Sequence, residues 1–581
     1  MFNVDKSNII SVVIRTIGRP TLCDAIKSAQ SEFKNVIVVA DAVDLDFINL
    51  PSDVLYLKTG IKHDKSFPLN SLNYAIKEFK ITKDDITSVC YYENPELKLK
   101  RVKSNIKKNF FKNPIYCIKT YYEIKKNIWN LKRMLNKISK NIFYSTHHES
   151  HHYYSYYSSP FNNGISLTID GVGEFDTLSF SKHNGKSLDY YTYSQYPHSI
   201  GLFYSAMTSF LGFKPNEGEY KVMGLASYGD PEKYIKKVRE LIKLKNGQLI
   251  CNMNVFCWDR NDRIMFNEKL VDLLGIEFRM VDETIEQKHK DLAASVQMRY
   301  EEILFDVIKS INIFDDSTNL CLSGGCAYNG RANGKITKNT RINKIWIPLA
   351  PSDAGSSIGA CIHYQVINNI FKSRITKNPF LGPDYGVKEI ESALNGTRYF
   401  KFNSESSLLS YVAKKLNEGK IVGWYRGHCE FGARALGNRS ILANPTIDGM
   451  QDRINKLVKK RELFRPFAPM VTYDKQFKYF NMEDDIPYMN QVVDVKKEYV
   501  NILKATTHVD NTARVQSVPR FTIMYNLLNE FEKLSGYPIL LNTSFNIKDK
   551  TMVLTPKDAI DTFKNTDIDL LIIDNYLIRK K

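Results

Sequence analysis

"NLCLSGGCAYNGRANGKI", residues 319–336, runs from an apolar stretch through a glycine pair into a helix start. "KIWIPLAPSDAGSSIGACIHYQVI", residues 344–367, repeats the scheme, with Asp353 just past the strand. Two strand–turn–helix units in succession predict an α/β fold. Upstream, "GISLTIDGVGEFDTLSFSKHNGKSLDYYTYS", residues 164–194, reads as a β-meander with Gly and Asn turns. Asp170 closes its first strand. Carboxylates at strand ends stand where open α/β sheets bind ligands, although a turn or cap role suits either Asp alone equally well. Gly324 and Gly325 would let backbone N–H groups approach a phosphate; an ordinary strand–helix turn has the same pattern.

The histidines fall close by. "YSTHHESHHYYSYYSSPF", residues 144–161, contains His147, His148, His151 and His152, four of the chain's 11. His147 and His151 are four apart, as are His148 and His152. On a helix such pairs share a face, and two imidazoles on one face can grip a transition metal. A His-rich helix with aromatic packing is the bland alternative. A metal site needs further ligands, and Asp170 and Asp353 are the carboxylates at hand.

The C-terminal third carries a different chemistry. "GWYRGHCEFGARALGNRSILANP" (423–445) holds Arg426, Arg434 and Arg439. "NKLVKKRELFRPFAPMV" (455–471) holds Lys459, Lys460, Arg461 and Arg465. Arg514 lies in "HVDNTARVQ" (508–516), and "ILLNTSFNIKD" (539–549) offers Ser544 and Asn546 after an apolar strand. The guanidinium fork suits bidentate binding of phosphate and carboxylate. Several Arg set among apolar strands and tight turns point to a small anionic substrate. No Walker A pattern occurs, so a standard NTPase reading lacks support.

At 581 residues the chain exceeds one ordinary core. With 43% hydrophobic and 25% charged residues it has a globular composition. It lacks a run of about 18 apolar residues, so no membrane span is expected. The opening segment does not read as a signal peptide, and the nine Cys form no CxxC pair. The expectation is reduced thiols in a cytoplasmic protein. Much of the net charge of +18 lies between Lys98 and Lys140, where apolar residues recur every three or four positions. That pattern reads as basic amphipathic helices with a solvated face. A docking surface for an anionic partner is the other reading.

Taken together these stretches resemble the O-carbamoyltransferases of antibiotic and nodulation-factor biosynthesis. The resemblance runs in order through "IKHDKSFPLNSLNYAIKEF", "YYENPELKLKRV", "HHESH", "SSPF", "TIDGVGEFDT", "GEYKVMGLASYG", "GGCAYNGRANG", "PSDAGSSIGA", "EFGARALGNRSILANP", "RELFRPFAP", "HVDNTARVQ" and "YPILLNTSFN", covering roughly residues 61–581. It implies an actin-like ATPase-type (ASKHA) domain over 59–375, similar to that of the universal tRNA threonylcarbamoyl transferase. A linker over 376–398 and a YrdC-like α/β domain over 399–581 would follow. It further implies that carbamoyl phosphate and ATP, with Mg, form carbamoyl-adenylate at the second domain. The carbamoyl group then passes to a hydroxyl of a sugar, glycan or natural product at the metal-containing first domain. The metal implied is Fe(II) or another divalent transition metal.

Carried over by residue, the resemblance implies His147, His151, Asp170 and Asp353 as metal ligands, and His148 as a group that orients or shuttles protons. Arg434 and Lys459 are implied in catalysis. Gly324, Gly325, Asn329, Arg439, Arg465, Arg514, Ser544 and Asn546 are implied in substrate or nucleotide binding. His152 departs from the family pattern and reads as packing. Residues 1–58 depart further: they lack the family's opening hairpin and resemble the strand–helix–strand start of a family 2 glycosyltransferase. That departure leaves an alternative, a catalytically impaired member serving as nucleotide-binding partner or scaffold. No nucleic-acid partner is expected, and the basic helical insert leaves room for a homodimer interface.

Overall fold

The computed structural model describes residues 82–580, together with Leu72 and Ile76, apart from residues 112, 184–187, 246, 261–264, 313–316, 372–377 and 549. The glycosyltransferase-like reading of residues 1–58 lies outside the described residues. The chain divides into two compact units between Lys377 and Asn378.

The first unit opens with β1 (Val89–Tyr91), a helical hairpin α1 (Pro95–Asn109) and α2 (Pro114–Ile138), and β2 (Ile142–Tyr144). Next come α3 (His147–Tyr157) and the strands β3 (Gly164–Ile169), β4 (Asp176–His183) and β5 (Leu188–Gln195). Then follow α4 (Ile200–Phe210), the long α5 (Gln287–Asn312), β6 (Asn319–Ser323), β7 (Lys344–Trp346) and α6 (Asp353–Ile367). The central sheet has the order β5-β4-β3-β6-β7. The meander β3–β4–β5 is antiparallel, whereas β3, β6 and β7 are parallel neighbours. Every residue of β3 is buried, as a central strand covered on both faces requires. The three parallel strands therefore deliver their carboxyl ends, at Asp170, Gly324 and the turn before Asp353, to one edge of the sheet.

Helix α3 forms from residues of indifferent helix propensity. The cap at Thr146 explains part of it: its hydroxyl accepts from the Glu149 N–H and donates to the Glu149 carboxylate at 2.6 Å. Packing supplies the rest. Tyr153, Tyr156 and Tyr157 join Phe161, Cys321 and Ile362 in one buried cluster. Helix α6 comes so close that a Cβ at Gly359 would stand 1.7 Å from the Ser150 carbonyl oxygen.

The second unit contains α7 (Val387–Ala393), β8 (Tyr399–Lys401), α8 (Glu405–Asn417), β9 (Val422–Tyr425), β10 (Arg439–Ala443), β11 (Ala468–Thr472) and β12 (Gln516–Val518). It ends with α9 (Ile523–Ser535), β13 (Ile539–Ser544), α10 (Pro556–Lys564), β14 (Leu570–Ile573) and β15 (Tyr576–Arg579). Eight strands form a mixed sheet in the order β8-β15-β14-β9-β10-β13-β11-β12. Its strands are apolar on both faces, and alternate residues enter two cores. Leu570, Ile572 and Trp424 pack with Val412 of α8 and with Leu527 and Phe531 of α9. Leu571, Ile573 and Tyr425 pack with Ile390, Ile560 and Phe563. Helices thus cover both faces.

Of the stretch 376–398, expected as a linker, the described residues 378–398 pack as part of the second unit. Residues 379–383 are laced to 429–431 by backbone bonds, including Gly382 N–H to the Cys429 carbonyl at 2.8 Å and Phe431 N–H to that of Pro379 at 2.8 Å. Beyond them α7 places Ile390 and Leu394, four residues apart, in the second core. The Glu389 carboxylate accepts the Gly386 N–H at 2.8 Å and caps the helix. The Pro and Gly content marked turns, but the apolar spacing beneath it marked an element.

Candidate functional site

Four side chains converge at the carboxyl edge of the first sheet. His147 and His151 project from one face of α3, Asp170 follows β3, and Asp353 opens α6. One ligand atom from each lies within 4.8 Å of the others. His147 Nε2 stands 3.1 Å from Asp170 Oδ2 and 3.5 Å from Asp353 Oδ1; His151 Nε2 stands 3.3 and 3.5 Å from the same atoms.

Electrostatics bind this cluster together. Burial alone would push the His147 imidazole down. The Asp353 carboxylate, the Asp170 hydrogen bond and charge, and Glu174 overcome it and raise its pKa to about 9. Burial likewise opposes the Asp170 charge, but close polar contacts and charge from His147 and His151 hold its carboxyl well below the usual range. The donor set, two imidazoles and two carboxylates, is one that divalent transition metals take. His151 is fully buried, and neither of its ring nitrogens makes a well-formed hydrogen bond. A buried imidazole so placed fits a metal ligand better than a packing residue.

The neighbouring turn is shaped for close approach. Gly324 adopts φ +89°, and a Cβ there would meet the Ile169 carbonyl at 2.1 Å. A Cβ on Gly325 would stand 3.2 Å from Asp170 Oδ1, so the glycine pair borders the four-residue cluster. Asn329 is committed elsewhere. Its amide exchanges two hydrogen bonds of 3.0 Å with Gln297, and its Oδ1 caps the Ala332 N–H. His148 turns away from the four ligands: its Nδ1 meets Ser179 Oγ at 2.7 Å, and burial with His147 beside it keeps the ring neutral. His152 shares that serine at 2.8 Å and is buried within the same polar network, not merely packed.

Glu174 was not singled out from the sequence. Its carboxylate accepts the His147 N–H at 3.0 and 3.1 Å and the Asn94 N–H at 2.5 Å. It thereby anchors the first turn of α3, where unsatisfied N–H groups favour an anion. The signal was present as the "GVGE" turn after Asp170, but only the fold brings it under α3.

The second unit gathers cations. Lys459 Nζ is buried and donates toward Ser544 O (2.7 Å), Asn546 O (2.9 Å) and Asn546 Oδ1 (2.6 Å), with Ser544 Oγ at 3.3 Å. Burial pushes its pKa well below the ordinary lysine value, and Arg461 and Arg465 add to this. Arg514 is depressed for like reasons: burial first, then the charges of Arg434, Arg461 and Arg465. Lys459, Arg434, Arg465, Arg514, Ser544 and Asn546 are thus brought together, and Arg461 joins them. Close like charges removed from water call for an anion.

Arg439 does not belong to this group. It is fully buried, its fork donates to the carbonyls of Arg426, Asn438, Pro383 and Gly427, and its guanidinium lies 3.7 Å from the Tyr425 ring centroid. Its expected role in substrate binding gives way to a structural one, because its four terminal N–H donors already go to backbone carbonyls and only Nε is left without a partner. Glu430, also missed from sequence, accepts the N–H groups of Leu436, Asn438 and Arg439 at 2.8–3.0 Å. It closes the loop on which Arg434 is carried.

Comparison with known proteins places the chain. Residues 57–362 match the carbamoyltransferase N-terminus model and residues 413–580 the carbamoyltransferase C-terminus model. The nodulation protein NolNO of Sinorhizobium fredii is 33% identical, over 90% of this chain and 76% of that protein. The nodulation protein NolO of Bradyrhizobium diazoefficiens is 35% identical, over 75% of this chain and 79% of that protein. An uncharacterized protein of Synechocystis, sll1178, is 35% identical over 90% of this chain and 92% of its own length. The chain belongs to the carbamoyltransferase family and is a carbamoyltransferase.

Proposed function

We propose that this enzyme is an ATP-dependent O-carbamoyltransferase with its two half-reactions divided between the units. The second, YrdC-like in this reading, activates the carbamoyl group. Water releases phosphate from carbamoyl phosphate, and the carbamate oxygen then attacks the α-phosphorus of ATP, expelling pyrophosphate and leaving carbamoyl-adenylate. Two polyanions must meet for this step, and the observation that carries the reading is the gathering of the half-buried Arg434, Arg461, Arg465 and Arg514 with the buried Lys459, whose mutual repulsion a bound anion relieves. The three donors of Lys459 are already taken by Ser544 O, Asn546 O and Asn546 Oδ1, so in this reading it acts on the anion through its charge and not through a hydrogen bond.

The first unit, actin-like in this reading, transfers the carbamoyl group to a hydroxyl of a sugar, glycan or natural product, and AMP leaves. His147, His151, Asp170 and Asp353 would hold a divalent transition metal, with iron the choice the family resemblance implies. Such an ion supplies Lewis acidity toward a carbonyl or hydroxyl oxygen. Gly325 borders these ligands and is the member of the pair left to approach the nucleotide, since Gly324 gives its N–H to the Pro351 carbonyl at 2.8 Å and packs against Ile169. His148, hydrogen-bonded to Ser179 and kept neutral by burial, is a weak base where it stands, so of the two roles implied for it the orienting one is retained.

The test is pyrophosphate release from ATP with carbamoyl phosphate and no acceptor, in the parent protein and in Arg434→Ala and His147→Ala. Release is expected to vanish in Arg434→Ala and to persist in His147→Ala, which should instead lose transfer to acceptor. Equal loss of pyrophosphate release in both folded variants would refute the division of labour.

A further inference from the structure

The hairpin α1–α2 carries a surface that the proposed chemistry does not use. Between Pro95 and Ile138 there are thirteen Lys or Arg and two Glu, eleven of the chain's eighteen surplus positive charges. Helix α2 is apolar on two opposite faces. One face, with Cys117, Leu131 and Leu135, is buried. The other presents Ile115, Ile118, Tyr122 and Trp129 at the three- and four-residue spacings that align on a helix. All four are exposed, Ile115 at 79%, and Phe111 at the hairpin tip is 96% exposed. Arg133 lies 4.8 Å from the Trp129 ring centroid on the same stripe, and Lys119 and Lys125 flank it. At the end of α1 the exposed Lys107 and Lys108 stand beside Phe110 and Phe111.

We infer that this hairpin docks the enzyme, in the plane of the interface, onto a bilayer of anionic phospholipid. Aligned aromatic and aliphatic side chains rimmed by lysines are what an interfacial helix presents: apolar groups enter the acyl boundary and cations meet phosphate headgroups. An aqueous face has no use for Ile115, Ile118 and Phe111, since exposed apolar side chains in a contiguous stripe mark an interaction surface. The aliphatic members also favour lipid over RNA, which would reward stacking aromatics and cations but not isoleucines. No helix among the described residues is long and apolar enough to cross a membrane, so the association is peripheral.

The full chain tests this by co-sedimentation with vesicles of phosphatidylcholine alone and of phosphatidylcholine and phosphatidylglycerol in equal parts. Binding is expected to the anionic vesicles and to weaken with salt. Each surface cation contributes about fivefold. Lys107→Gln with Lys108→Gln and Lys125→Gln should therefore lower affinity about a hundredfold. Phe111→Ser with Ile115→Ser and Tyr122→Ser should lower it at constant charge. Both triple variants should keep vesicle-free pyrophosphate release, which shows that they fold. Equal binding to neutral vesicles, or none to anionic ones, overturns the inference. So does unimpaired binding by the serine variant, and so does capture by polyuridylate in place of vesicles.

Discussion

Lys459 shows how a single residue can report on an unseen ligand. Burial and two arginines depress its pKa, so between the folded and unfolded values the unfolded chain binds more protons. Stability from this group therefore rises with pH toward the ordinary lysine value of about 10.5 and falls below it. A phosphate placed on the cluster reverses the depression. At a pH between the depressed and the ordinary lysine value, binding of carbamoyl phosphate or ATP should then be accompanied by proton uptake, measurable as a buffer-dependent enthalpy in titration calorimetry. Lys459→Met should abolish that dependence, and a buffer-independent enthalpy in the parent protein would argue against an anion at this lysine. Glu174 permits a second test. Glu174→Gln keeps an acceptor for the His147 N–H but removes the charge at the start of α3. Metal affinity should fall about tenfold to a hundredfold, as it does when groups that orient ligands are altered; unchanged affinity in a metal titration would deny Glu174 that role.

At the scale of elements, α3 carries His147 and His151 and α6 carries Asp353, three of the four proposed metal ligands, and Gly359 sets the separation of the two helices. Alanine in a helix is ordinarily favoured over glycine by about 1 kcal/mol. Here its Cβ would meet the rigid Ser150 carbonyl at 1.7 Å, and overpacking costs about 1–3 kcal/mol or more when backbone must move. The clash wins. Gly359→Ala should lower the unfolding free energy and also weaken metal binding by drawing Asp353 away from His147 and His151. Denaturant unfolding and a metal titration of the same variant would check both, and a stabilised variant would mean the helices can separate freely. The same scale explains what was misjudged along the chain. The segment 376–398 reads as linker by its Pro and Gly content, yet Ile390 and Leu394 are core residues. Local composition cannot reveal a surface elsewhere in the chain on which such residues pack.

At the scale of the whole molecule, the division between Lys377 and Asn378 assigns the His–Asp cluster to one unit and the cation cluster to the other. Each ligand should therefore stabilise its own unit. A ligand at a hundred times its Kd adds about 2.7 kcal/mol to whatever binds it. Calorimetry should resolve a transition raised by divalent iron or cobalt and another raised by carbamoyl phosphate, and His151→Ala should erase only the first shift. A single transition moved equally by either ligand would show that the two sites are not thermodynamically separate.

The sequence by itself determined the α/β class, the His147–His151 pair, the carboxylates at Asp170 and Asp353, and the basic C-terminal motifs. Each of these is a local pattern, set by helical or strand periodicity and by turn chemistry within a few residues. Only the tertiary structure decided that Arg439 serves backbone carbonyls while the half-buried Arg434, Arg461 and Arg465 act with their charge on Arg514. The same holds for Glu174 beneath α3, for Glu430 closing the Arg434 loop, and for Asn329, which pairs with Gln297. A guanidinium, an amide and a carboxylate look the same along the chain whether they serve a ligand or the fold. What separates them is whether burial has already supplied their hydrogen-bond partners, and those partners lie far away in sequence.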